Sequence, residues 1–132
     1  MSEMQLHSLF ITPFFVKKIE MDNNKMIQKL YDLKSQNKTG TPRSNVGGWH
    51  SNLNLYEEDE FKEITAVILQ NAKECFEHLD AVDDCNPTLD AMWGIINQPG
   101  SRNNIHTHPM SFLSGVYYMK TPEKSGRITF LD

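Results

Sequence analysis

The sequence predicts a mainly β domain with helices at its N-terminal end, of the α+β class. Three observations carry that reading. Two segments with apolar residues at helical spacing come first, one following Asp22 and one over residues 58–79. Runs of strand character follow, from residue 89 to the end of the chain. Among them lies Asn97-Gln-Pro-Gly-Ser-Arg-Asn-Asn-Ile-His106-Thr-His108-Pro109, with two of the five histidines one residue apart. Alternate side chains of an extended strand share a face, so His106 and His108 can direct their imidazoles at one point. Imidazole is the commonest side-chain metal ligand. A metal site inside a small barrel is the arrangement these features suggest.

Taken in order, Leu9-Phe-Ile-Thr-Pro-Phe-Phe-Val16 is a β-rich apolar segment broken by Pro13. A central strand tolerates proline poorly, so an edge strand with a bend is expected. Asp22 is placed to cap a helix whose apolar positions are Met26, Ile27, Leu30, Tyr31 and Leu33. The polar run Ser35–Asn45, with Gly40 and Pro42, reads as a loop with little to bury, and as the most mobile interior segment. In Gly47-Gly-Trp-His-Ser-Asn-Leu, paired glycines permit close backbone approach, and Trp49 beside His50 could line a pocket. The simpler reading, and the favoured one, is a turn followed by a buried tryptophan.

The clearest helix spans Glu58 to Leu79, with Phe61, Ile64, Ile68, Ala72, Cys75, Phe76 and Leu79 on one face. Glu57, Glu58, Asp59 and Glu60 crowd its start, where the helix dipole favours negative charge, and they read as solvated. After the loop Asp80–Pro87, Leu89 to Asn97 reads as a strand leading into the histidines. Pro109 ends the His-x-His strand or places it at an edge. Two further strands are expected, Phe112 to Met119 and Arg127 to Leu131, separated by a turn with Pro122 and Gly126.

At 132 residues the chain holds one domain with a real core. A formal charge of −4 argues against a nucleic-acid binder that relies on a basic face. No apolar run reaches the length of a membrane span, and the N-terminus lacks the pattern of a secretory signal. Cys75 and Cys85 are too few for a disulfide framework, and Cys75 is expected as a buried, reduced thiol. A cytoplasmic protein is the expectation.

His-x-His alone is a weak motif, strengthened here by an irregular approach and a strand start. Neutral imidazoles suit iron, zinc, copper or nickel. The remaining histidines are His7, His50 and His78, and Asp132 is the acid nearest the last strand, so no third ligand stands out.

At these residues the chain resembles the 2-oxoglutarate and iron(II)-dependent oxygenases of the prolyl-hydroxylase-like superfamily, most closely an uncharacterised bacterial, phage and marine subgroup. The resemblance rests on Leu9-Phe-Ile-Thr-Pro, Gly48-Trp-His-Ser51, Asn97-x-x-Gly100, His106-x-His108-Pro109, Ser114-Gly-Val-Tyr-Tyr118 and Pro122-x-x-x-Gly126-x-Ile-x-Phe-x-Asp132, in that order. It implies a double-stranded β-helix, a jelly roll of cupin-like shape with helices packed outside. It also implies Fe(II) and 2-oxoglutarate as cofactors. By position His106 matches the first iron ligand, and His108 stands where the superfamily has a carboxylate. An imidazole there leaves the site one positive charge richer. Asn97 and Tyr118 are candidates for co-substrate contacts, and Trp49 and His50 for the substrate entrance. The family's domain continues beyond the Phe-x-Asp strand with a distal histidine and a basic co-substrate anchor. The resemblance therefore implies a copy incomplete at its C-terminus, and unpaired edges favouring a homo-oligomer.

The leading expectation is thus an oxygenase-type domain, a hydroxylase by ancestry, acting on a small-molecule or peptide substrate, with no nucleic-acid or membrane partner. Two alternatives stand beside it. One is a jelly roll that keeps the fold for binding or assembly without chemistry. The other is a cupin-type metalloenzyme with three histidines and no 2-oxoglutarate.

Overall fold

The structure, a computed structural model, describes Met4 and residues 11–80 and 86–131. Leu9 and Phe10 of the first apolar segment, His7, Cys85, most of the loop after Asp80, and Asp132 lie outside the described residues. The element order is α1 (Asn24–Gln36), β1 (Asn45–Val46), β2 (Trp49–His50), two 3-10 turns (Leu55–Glu57 and Asp59–Phe61), α2 (Lys62–His78), β3 (Ile95–Ile96) and β4 (Arg102–Asn103). This is a mixed α+β arrangement.

The first helix forms where its apolar spacing predicts. Asp22 accepts a hydrogen bond from the Asn24 backbone N–H at 3.0 Å, satisfying one donor left free at a helix start. Met26 and Leu30 bury the inner face, while Tyr31 stays 54% exposed. The second helix starts later than its pattern predicts, because the acidic run winds into 3-10 turns. There Lys29 reaches from α1 to Glu58 at 2.6 Å and Glu60 at 3.7 Å. The hydrogen bond with Glu58 is the main influence holding the Lys29 ammonium above its ordinary pKa. The acidic run is therefore partly a tether between the helices and not wholly a solvated start. Its other end is held by Lys62, 2.5 Å from Asp59.

Two short antiparallel ladders form two separate two-stranded sheets, β1 with β4 and β2 with β3. Asn45 pairs with Asn103 and Val46 with Arg102. Trp49 pairs with Ile96 and His50 with Ile95. Between the ladders one strand has only Gly47 and Gly48, whereas the other has residues 97–101. The longer side turns through Gly100 at φ +83°, and Gly47 takes φ +75°, both in the region that favours glycine. Gly48 lies so close to Asn97 that a Cβ there would run into the Asn97 amide. The close backbone approach expected of the glycine pair is real at this point.

Six buried apolar side chains make the core: Met26, Leu30, Trp49, Leu55, Phe61 and Ile64. Leu55 is fully enclosed. The apolar stripe of α2 is buried only in its first half. Phe61 and Ile64 are inside, whereas Cys75 is a free thiol that is half-buried and not enclosed. Gly94 sits against Leu30, where a Cβ would lie 2.5 Å from a Leu30 methyl, so β3 approaches α1 more closely than a side chain would permit.

The predicted strands of the last third differ from what is observed. Residues 89–97 give an isolated bridge at Met92 and the two-residue β3. The segments 106–108, 112–119 and 127–131 carry no strand pairing among the described residues, and no jelly roll is assembled there. Residues 11–16 are likewise unpaired. The reason is that alternation of side chains favours extension, but a strand exists only where a second backbone accepts its hydrogen bonds. After Asn104, whose N–H donates to Ser44 at 2.8 Å, the backbone bonds are the local turns Ser111 to His108 and Ser125 to Pro122.

Side chains hold this last segment instead. Tyr117 donates its hydroxyl to Asn23 at 2.8 Å, and Asn23 donates to the Met119 carbonyl at 3.0 Å. Phe112 meets Phe76 edge-on at 5.0 Å, and Phe130 meets Phe14 at 5.1 Å.

The N-terminal segment is tied to α2 by Lys17, which reaches Glu74 at 2.7 Å and Asn71 at 2.9 Å. The Lys17 hydrogen bond holds the Glu74 carboxyl below its ordinary value of 4.5. A depressed carboxylate stabilises the fold above its unfolded pKa and loses that contribution as pH falls through the folded value. Acidification below the ordinary value of 4.5 is thus expected to loosen residues 14–19 from α2. Hydrogen exchange across that range is the check, with Lys17→Ala already loosened at neutral pH. Both groups are about half exposed, so the effect is small and screened by salt.

Candidate metal centre

His106 and His108 lie side by side, with ring centroids 5.0 Å apart and planes tilted by 34°. The proximity arises without a strand ladder. His108 is followed by Pro109 and by Met110 at φ +67°, a left-handed conformation uncommon for a side-chain-bearing residue. That turn carries the chain back so that Ser114 reaches the Nδ1 of His108 at 3.1 Å. His106 is exposed and His108 half-buried.

The hydrogen bonds decide which nitrogen is available to a ligand. The Asn104 carbonyl lies 2.7 Å from the Nδ1 of His106, and a carbonyl can only accept, so Nδ1 carries the proton. The lone pair of His106 is then on Nε2. Nδ1 of His108 is likewise engaged, with the Ser114 hydroxyl, and where that hydroxyl accepts, the His108 lone pair is on Nε2 as well.

The pair does not stand alone. Trp93 packs against His108 at 5.4 Å and 62°, and its other contact is His50, stacked at 5.6 Å and 13°. The β2–β3 register explains the stack. His50 faces Ile95, and Trp93, two residues earlier on the same strand face, is the diagonal neighbour of His50. His50 is 3% exposed, and its Nδ1–H donates to the Ser51 carbonyl at 2.6 Å. Trp93 is the residue that sequence reasoning missed. Its signal was there in strand alternation, since Trp93 and Ile95 share a face of the segment predicted to lead into the histidines.

The other candidates lie apart from this row of rings. Trp49 is a core residue, 5% exposed, with its indole N–H donating to the Asn37 carbonyl at 2.8 Å. Trp49 and His50 border a cleft of about 180 Å³ together with Leu33, Gln36 and Thr41. A larger hollow of about 430 Å³, between Lys17–Ile19 and α2, contains none of the candidate residues. Asn97 is exposed over Gly48. Tyr118 is 58% exposed, and its neighbour Tyr117 is the inward-facing member of the pair. His78 caps its own helix end, its Nδ1–H donating to the Glu74 carbonyl at 3.0 Å.

Among the described residues no group of three His, Cys, Asp or Glu side chains is gathered for a metal ion. The pair supplies two imidazole side chains, a donor type that iron, nickel, copper and zinc accept in general. No helix among the described residues is long and apolar enough to cross a membrane.

A mixed α+β arrangement that sets two imidazoles side by side is what fold and site define. The family model described as "Putative 2OG-Fe(II) oxygenase" matches residues 91–132, the last third of the chain, which includes Trp93, Asn97, His106, His108 and Tyr118. No curated protein and no solved structure matches the chain.

Proposed function

We propose that the chain is a 2-oxoglutarate- and Fe(II)-dependent oxygenase-type domain, of the hydroxylase kind and jelly-roll ancestry, in which His106 and His108 are metal ligands through Nε2. The observation that carries this reading is the pair of imidazoles 5.0 Å apart with both Nδ1 atoms engaged, inside the segment that matches the oxygenase family. Bound iron and 2-oxoglutarate would supply the oxidant for a small-molecule or peptide substrate. The chain's own residues hold and orient. Asn104 and Ser114 fix the imidazoles, and Asn97 and Tyr118 remain candidates for the co-substrate, with Trp49 and His50 on the cleft side as candidates for the entrance. Calorimetric titration with Ni(II) tests the proposal: one site that disappears in both His106→Ala and His108→Ala supports it, and unchanged binding in both variants overturns it.

A second reading, an assembly module that pairs with a copy of itself, is favoured by a different observation. Segments without strand pairing among the described residues expose Phe14 at 67%, Val16 at 82%, Phe130 at 65% and Leu131 at 67%. Unpaired backbone flanked by apolar side chains is a template for another strand. A homo-oligomer is the expected state, and the mass from light scattering should rise over a concentration series. A dispersed monomer of 15.2 kDa throughout would remove this reading.

A further inference from the structure

We infer that Trp93 is the positioning residue of the histidine pair, a flat wall that sets the ring orientation of His108 and is itself held by the buried imidazole of His50. This rests on the assignment of His106 and His108 as ligands, but its geometry is independent of any metal.

Three features support it. His108 is anchored at one atom only, by Ser114, which leaves the ring free to pivot about that bond. The indole edge contact at 5.4 Å and 62° blocks one side of the pivot. The indole in turn is backed on one face by His50, to which it lies nearly parallel and which is 3% exposed and bonded to the Ser51 carbonyl. His50 belongs to the β2–β3 ladder, and Ser51 and Gly94 extend that ladder, Ser51 N–H donating to the Gly94 carbonyl at 3.0 Å. The orientation of the half-buried His108 imidazole is thus referred through two rings to the β2–β3 ladder. His106, tilted on His108 at 5.0 Å, takes its place from the same row. Outer groups that orient a ligand commonly alter metal affinity by about 10–100-fold when lost.

The experiment uses the full chain and three variants: Trp93→Phe keeps a flat ring, Trp93→Leu keeps apolar bulk without one, and Trp93→Ala removes both. Two readouts are taken. The first is metal-free, the NMR relaxation and chemical shift of the His108 ring carbons in histidine-labelled protein. The second is Ni(II) affinity by calorimetry. The expected result is an ordered, ring-current-shifted His108 in the wild type and in Trp93→Phe. In Trp93→Leu the ring is mobile and unshifted, with Ni(II) affinity about tenfold weaker. Trp93→Ala should follow Trp93→Leu, and if it does not fold the Phe and Leu variants still decide. A His108 ring equally ordered in Trp93→Leu overturns the inference whatever the metal does. If the wild type binds no Ni(II) yet Trp93→Leu frees His108, the ligand assignment fails and the positioning role stands. If affinity falls in Trp93→Leu while His108 stays ordered, the loss comes from elsewhere and the positioning role is rejected.

Discussion

Replacing Gly40 with alanine should destabilise the protein by on the order of 3 kcal/mol, a substantial part of the total for a small domain. Two independent effects add. Gly40 sits at φ +67°, where holding a side-chain-bearing residue costs about 1–3 kcal/mol. A Cβ there would also lie 2.6 Å from the His50 carbonyl oxygen and 2.8 Å from the Trp49 ring. Neither neighbour can yield. The Trp49 indole is buried and bonded to Asn37, and the His50 carbonyl accepts the Thr41 N–H at 2.8 Å. Overpacking of this kind commonly costs about 1–3 kcal/mol more. The check is chemical denaturation of Gly40→Ala beside Gly126→Ala, where a Cβ meets nothing within 4 Å. A difference under about 1 kcal/mol between the two would show that the loop moves aside freely.

The second large effect concerns the metal. His106→Ala and His108→Ala should each weaken Ni(II) binding by about a hundredfold, more than most outer-shell losses, because half of the available nitrogen ligands go with either substitution. His78→Ala should change nothing, since His78 lies at the end of α2 with its ring edge-on to Phe15 and away from the His106–His108 pair. Binding should be modest even in the wild type, as two neutral imidazoles leave the other coordination positions to water. Cu(II) and Ni(II) should bind more tightly than Fe(II), following the general order for nitrogen donors. Acidification should release the metal, because a protonated imidazole has no lone pair to give.

Helices were the most legible part of the sequence. Apolar spacing placed α1 within two residues, and the inner face of Met26 and Leu30 follows directly from it. Local periodicity suffices there because a helix satisfies its own backbone. The strands were less legible, since pairing depends on a second segment far away in sequence. Of the strand expected over Leu89–Asn97 only Ile95–Ile96 and an isolated bridge at Met92 form, and the expected strands after Asn104 remain without partners among the described residues. The Ser35–Asn45 run looked polar and unburdened, but it wraps Trp49, with Gly40 packed on the indole and Asn37 accepting its N–H. Composition does not reveal a backbone that packs through a glycine. At the site, the adjacency of His106 and His108 was readable from spacing, although a turn at Pro109–Met110 and a Ser114 bond accompany it where a ladder was expected. Trp93 was overlooked because its role appears only once the β2–β3 register sets it against His50.

The most direct measurement is the NMR spectrum of histidine-labelled protein during addition of substoichiometric Cu(II). Paramagnetic copper broadens nearby nuclei first. The metal-site account predicts that the His106 and His108 ring signals vanish before any others, with the Trp93 indole next and His78 preserved. If His78 or backbone signals elsewhere broaden first while the His106 and His108 rings stay sharp, the pair is not a metal site and the central claim fails.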